Sequence, residues 1–127
     1  MIAADTSTWV AFLEGTAGDD TLLLDKALQD RQLVMVPVVL TELLSDPKLP
    51  PALRVSLANV PLLQIESGFC KRAGALRAKV LAKGRRARLA DSLIAQNCLD
   101  ASVSLITRDR DFRASAQAAG LHVILAA

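Results

Sequence analysis

The sequence predicts an α/β fold in which a parallel sheet is covered by helices on both faces. Two observations carry this. Short apolar runs alternate along the chain with longer segments whose apolar residues recur every three or four positions. The short runs are also nearly continuous in apolar residues instead of alternating with polar ones, as strands buried on both faces are.

The first strand is Ile2-Ala3-Ala4, too brief for a helix, and it stops at Asp5-Thr6-Ser7. Trp9, Val10, Ala11, Phe12 and Leu13 then belong to a helix that any of those three polar residues can cap. A turn at residues 15–18 leads to a second helix, where Asp19 and Asp20 sit in the first turn and complement the helix dipole, ahead of Leu22, Leu23, Leu24, Ala27 and Leu28. Residues 32–36 form a β-branched apolar run that ends at Pro37 and reads as the second strand. The helix after it carries Val38, Val39, Leu40, Leu43 and Leu44, with Glu42 among them, until Ser45-Asp46-Pro47 stops it.

Pro50 and Pro51 suit the first turn of a short helix that runs to about residue 58, and residues 62–65 after Pro61 read as a third strand. Residues 67–83 are helical by the spacing of Phe69, Ala73, Leu76 and Val80, and Gly84 ends them. An arginine-rich loop follows. Residues 89–101 form a helix with Asp91 in its first turn, residues 103–106 a fourth strand that stops at Thr107-Arg108-Asp109, residues 111–119 a last helix ended by Gly120, and residues 121–125 a fifth strand.

With 127 residues the expectation is one domain spanning 1–127, able to bury about two-thirds of its unfolded surface. Apolar residues make up 52% of the chain but never approach a run of twenty, which argues against a membrane span. The first residues lack a basic segment followed by an apolar stretch, so no signal peptide is expected and the cytoplasm is the expected location. Cys70 and Cys98 share no C-x-x-C spacing and read as small buried hydrophobes.

The net charge of +2 is modest, but it is unevenly spread: eight lysines and arginines fall within residues 71–88, which contain no acid. Such a segment can follow a phosphate backbone, or it can be a solvated helix face and loop.

Two strands end alike. Each gives way to a hydroxyl and an acid, Asp5-Thr6 after the first and Thr107 with Asp109 after the fourth, and in a parallel sheet both pairs lie at the same edge. Glu42 follows the second strand and Asp91 opens the helix before the fourth, so all four acids can face one crevice. Singly, each has a structural explanation as a cap, a dipole partner or a surface residue. Glu42 shifts the balance, because an acid on a half-buried face of so apolar a segment is costly unless it is paired. Clustered carboxylates repel one another, and a shared cation relieves this; oxygen ligands suit Mg²⁺ or Mn²⁺. Such an ion supports phosphodiester hydrolysis.

Other chemistries lack their residues. His122 is the one histidine, so a pair of histidines acting as acid and base is unavailable, and no G-x-S-x-G, P-loop or G-x-G-x-x-G is present. A phospho-acceptor receiver domain would need an aspartate after the third strand, where Glu66 follows Ile65.

The segments I-A-A-D-T-S, P-V-V-L-T-E-L-L, R-L-A-D-S-L-I-A and L-I-T-R-D-R-D-F resemble, in order and spacing, the four motifs of PIN-domain ribonucleases, most closely the VapC-type toxins of toxin–antitoxin pairs. The resemblance implies a PIN-like three-layer fold, with a central parallel sheet of about five strands, the first strand central, and helices on both faces. It implies that Asp5, Glu42, Asp91 and Asp109 form a catalytic quartet, that Asp5, Asp91 and Asp109 hold Mg²⁺ or Mn²⁺, and that Thr6 and Thr107 support them. Asp111 would supplement or replace Asp109. It further implies endonucleolytic cleavage of RNA, a homodimer, and inhibition by a small cognate antitoxin that inserts a segment into the acidic crevice. Arg85, Arg86, Arg88, Arg108 and Arg110 are the candidates for contacts with RNA phosphates. The alternative is a catalytically weak module that binds RNA or the antitoxin.

Overall fold

The computed structural model describes residues 1–126. Four parallel strands, β1 (Ile2–Ala4), β2 (Leu33–Val34), β3 (Ser104–Thr107) and β4 (Val123–Leu125), form a sheet in the order β2-β1-β3-β4. The helices are α1 (Thr6–Leu13), α2 (Asp19–Gln29), α3 (Pro37–Leu44), α4 (Pro51–Ala58), α5 (Phe69–Ala82), α6 (Leu89–Ala101) and α7 (Phe112–Ala119). No helix among the described residues is long and apolar enough to cross a membrane.

The chain moves outward from β1 to β2, then returns past β1 to β3 and continues outward to β4. Because the first crossover runs opposite to the later two, right-handed connections put their helices on opposite faces of the sheet. The packing agrees: α1 lies against α2, while α5, α6 and α7 pack on one another. The direction of winding reverses between β1 and β3, whose residues Ala4 and Ile106 are paired. Connections leaving these two strand ends diverge, so a crevice opens beyond them, where ligands bind in folds of this kind.

Ala3, Ala4, Leu105 and Ile106 are buried on the sheet, covered by Trp9 from α1, Leu24 from α2, Ile94 from α6 and Phe112 from α7. Trp9 meets Phe12 edge-on, with ring centroids 6.0 Å apart. The β1-to-α1 junction is sharp because the Asp5 carboxylate caps the helix, its Oδ1 accepting a bond from the Thr8 backbone N–H at 3.2 Å.

Four of the five expected strands form, and the one expected at residues 62–65 does not. Only an isolated bridge, Met35 to Leu62, extends the sheet there. Leu62 and Ile65 are 51% and 52% exposed, and only Leu63 between them packs against the core, so the run is apolar without being covered on both faces. The Gln64 backbone carbonyl accepts a bond from the Asn97 side chain on α6 at 3.0 Å. Cys98 is buried as expected, but Cys70 is exposed on α5.

Candidate functional site

Asp5, at the carboxyl end of β1, is 4% exposed, and both of its oxygens are engaged. Ser7 Oγ donates to Oδ1 at 2.7 Å and Thr107 Oγ1, from the end of β3, donates to Oδ2 at 2.8 Å. Burial raises the Asp5 carboxyl above its ordinary pKa, the nearby Asp109 adds to this, and the bonds from Ser7, Thr107 and Thr8 offset part of it.

Thr107 relays this order into the next turn. While its hydroxyl donates to Asp5, its oxygen accepts from the Asp109 backbone N–H at 2.9 Å, and Asp109 Oδ1 in turn accepts from the Asp111 N–H at 2.9 Å. This Asx-type turn presents Asp109 and Asp111 side by side before α7 begins.

Asp91 approaches from the first turn of α6. Carboxylate oxygens of Asp91, Asp109 and Asp111 lie within 4.8 Å of one another. Burial, followed by the charge of Asp109, pushes the Asp91 carboxyl up to about 6, with smaller contributions from Asp5 and Asp111, against the pull of Arg88. Its Oδ2 is buried without a hydrogen-bond partner among the described residues. An orphaned carboxylate oxygen among like charges fits a hard cation: all donors are oxygen, the charge is unbalanced, and one ligand position is already desolvated. The resemblance implied Asp5 in the ligand set with Asp111 in support. In the structure Asp111 joins Asp91 and Asp109 directly, and Asp5 stands beside the trio with its oxygens bonded elsewhere.

Glu42 is exposed, not half-buried, so the cost of burying an acid does not bear on it. The α3 helix presents it on its solvent side, where Oε1 accepts a bond from Thr6 Oγ1 at 2.7 Å. That bond links the start of α1 to α3 beside a groove of about 310 Å³ lined in part by Val10, Leu13, Leu49 and Leu53.

The family model for the PIN domain matches residues 2–117. The chain belongs to the PIN-domain family. No curated protein matches the sequence. Among solved structures, the fold of this PIN domain is similar to that of VapBC2 from Rickettsia felis bound to a promoter DNA fragment, at 20% identity and a TM-score of 0.77 over 98% of each chain. It is similar to VapBC-5 from Mycobacterium tuberculosis, at 25% identity and a TM-score of 0.71 over 98% of this chain and 97% of that one. DNA-bound VapBC from Salmonella typhimurium is similar at 16% identity and a TM-score of 0.73, over 98% of each chain.

Basic residues border the acids of this PIN domain. Arg86 Nη1 is 3.9 Å from Asp111 Oδ2, Arg85 Nη1 donates to Gln117 at 3.3 Å, Arg88 precedes α6, and Arg110 is exposed between Asp109 and Asp111. Arg108 is placed differently from these four: its Nε and Nη2 are bonded to Asp20 at 2.6 and 2.9 Å. The charge pattern alone could not separate it from its neighbours. Ser7 and Asp20 are two residues beside the site that sequence reasoning does not single out. Ser7 has a signal, since it follows Asp5 and Thr6 at the strand end. Asp20 has none, because an acid in a helix's first turn already has a sufficient explanation.

Proposed function

We propose that this PIN domain is a VapC-type toxin, a Mg²⁺- or Mn²⁺-dependent endoribonuclease held in check by a small antitoxin. The observation that carries this reading is the trio Asp91, Asp109 and Asp111, with its unpartnered buried oxygen on Asp91. The similarity to proteins solved as VapBC complexes supports the toxin–antitoxin context.

Asp91, Asp109 and Asp111 would hold the ion, with Asp5 adding negative charge from behind. When bound, the ion would polarise a phosphoryl oxygen and acidify a water for attack. Thr107 and Ser7 keep the Asp5 carboxylate fixed, so that the site's charge does not move when substrate arrives. Glu42, held by Thr6, is the proposed acceptor for a proton of the attacking water or the residue that orients it. The groove beside Thr6 and Glu42 would take the inserted antitoxin segment, its apolar lining covering leucines and its acids meeting a basic residue. The protein would act in the cytoplasm, as a single-domain homodimer.

Incubation of the purified chain with total cellular RNA tests this reading. Cleavage should require Mn²⁺, stop with a chelator and return when Mn²⁺ is restored in excess. Cleavage that continues in the chelator, or RNA that is bound and left intact with Mn²⁺ present, contradicts it.

Arg85, Arg86, Arg88 and Arg110 are the proposed partners of RNA phosphates. Replacing Arg85 and Arg86 by alanine should reduce the slope of log K against log salt by about 0.7 for each phosphate no longer neutralised, with Mn²⁺ affinity unchanged. Equal slopes in variant and parent would remove both from the interface.

A further inference from the structure

The segment that carries Asp109 and Asp111 is irregular; besides the turn made by Thr107 and Asp109, the buried Phe112 that follows it and the Arg86–Asp111 ion pair at 3.9 Å, it is tied down through Arg108. The Arg108 backbone N–H donates to Ser7 Oγ at 3.1 Å, and Ser7 donates on to Asp5. Its side chain reaches the opposite way, to the start of α2. There Nε and Nη2 grip Asp20 in a two-pronged bond at 2.6 and 2.9 Å, and Nη2 also donates to the Ala17 carbonyl at 3.3 Å. Asp20 has no side-chain exposure and accepts a third bond from Thr8 Oγ1, itself buried, at 2.9 Å. Burial opposes the charge on Asp20, yet the bonds from Arg108 and Thr8 outweigh it and hold the carboxyl below its ordinary pKa.

The backbone is shaped around this pair. A Cβ at Gly18 would sit 2.6 Å from Arg108 Nη2 and 2.7 Å from Asp20 Oδ1, closer than real Cβ atoms come. Only a residue without a side chain lets the guanidinium lie across the α1–α2 turn.

We infer that Arg108, clamped by Asp20, is a positioning residue for the acidic site, holding residues 107–111 in place against the mutual repulsion of the carboxylates they bring together. The inference rests on the reading of Asp91, Asp109 and Asp111 as a metal site. Three negative groups whose oxygens lie within 4.8 Å of one another push apart when no cation is bound. Asp91 is fixed by a helix, so the strain falls on the loop. A buried ion pair adds little net stability over an apolar replacement, because desolvation offsets its attraction, but its planar two-pronged geometry fixes direction. The Arg108–Asp20 pair supplies that direction one residue from Asp109 and three from Asp111.

Calorimetric titration with Mn²⁺ at a temperature where every variant remains folded tests the inference. Asp20→Asn removes the charge of the clamp, and Arg108→Lys keeps the charge while losing the fork. Both should bind Mn²⁺ about 10- to 100-fold more weakly than the parent, the loss typical of removing an outer-shell partner. Leu76→Ala, a core truncation on α5, should lower the melting temperature and leave Mn²⁺ affinity at the parental value, which separates positioning from general stability. If Asp20→Asn does not fold, Arg108→Lys alone decides. Parental affinity in a folded Asp20→Asn or Arg108→Lys overturns the inference while leaving the metal site standing. A parent chain that binds no Mn²⁺ overturns the metal reading itself, and the inference with it.

Discussion

Asp91→Asn is expected to abolish RNA cleavage while making the metal-free protein more stable near neutral pH. The folded state holds the Asp91 carboxyl at about 6, against 3.8 for the free group. Well below pH 4 both states are protonated. Between those values the folded state holds more protons than the unfolded one, so stability falls as pH rises, and above about pH 6 the loss is complete. A shift of that size is at most about 3 kcal/mol, and solvent reaching this half-buried group reduces it to roughly 1–2 kcal/mol. An asparagine is neutral throughout and avoids the loss. In a chelator at pH 7.5 the variant should therefore melt several degrees above the parent, the two converging toward pH 4. Its cleavage rate should fall by more than about 100-fold, beyond what outer-shell changes cost. A variant less stable than the parent at pH 7.5, or one with substantial cleavage, would contradict the role given to Asp91.

Phe112→Ala should be the most damaging single change to the fold near the site. Phe112 is 1% exposed and begins α7 immediately after Asp111, so one side chain both fills the core and anchors the acidic loop. Truncating a buried phenylalanine costs about 3–5 kcal/mol, a large part of the 5–15 kcal/mol that holds a typical domain. The melting temperature should fall by roughly 10–20 °C, as read by circular dichroism in the chelator. A fall of only a few degrees would mean that the neighbouring apolar side chains collapse into the space and that Phe112 is not what fixes the loop.

Much of the site was legible because the chemistry lies where strands end. The hydroxyl-and-acid endings of β1 and β3 lie at one sheet edge once the strands are known to be parallel, whereas Asp91, which its place in the first turn of α6 alone would explain as a dipole partner, was legible only through the resemblance of its segment to a PIN motif. What escaped was information held in side-chain packing. Residues 62–65 carry the composition of a strand, but nothing covers Leu62 or Ile65. The premise that drew attention to Glu42, an acid forced onto a half-buried face, fails because α3 turns it to solvent. Asp111 stood in the sequence as an understudy to Asp109; only the turn made by Thr107 and Asp109 shows that both face Asp91. Arg108 and Asp20 are 88 residues apart, and no local pattern connects them.

The measurement that tests the central claim most directly is thermal unfolding of parent and Asp91→Asn at pH 7.5, each with and without Mn²⁺. At ten times its dissociation constant the ion stabilises a fold that binds it by about 1.4 kcal/mol, a shift of several degrees here. The expected result is a shift in the parent and none in the variant. Equal shifts in both would place Mn²⁺ elsewhere, and no shift in either at millimolar Mn²⁺ would leave Asp91, Asp109 and Asp111 as three neighbouring acids that hold no metal.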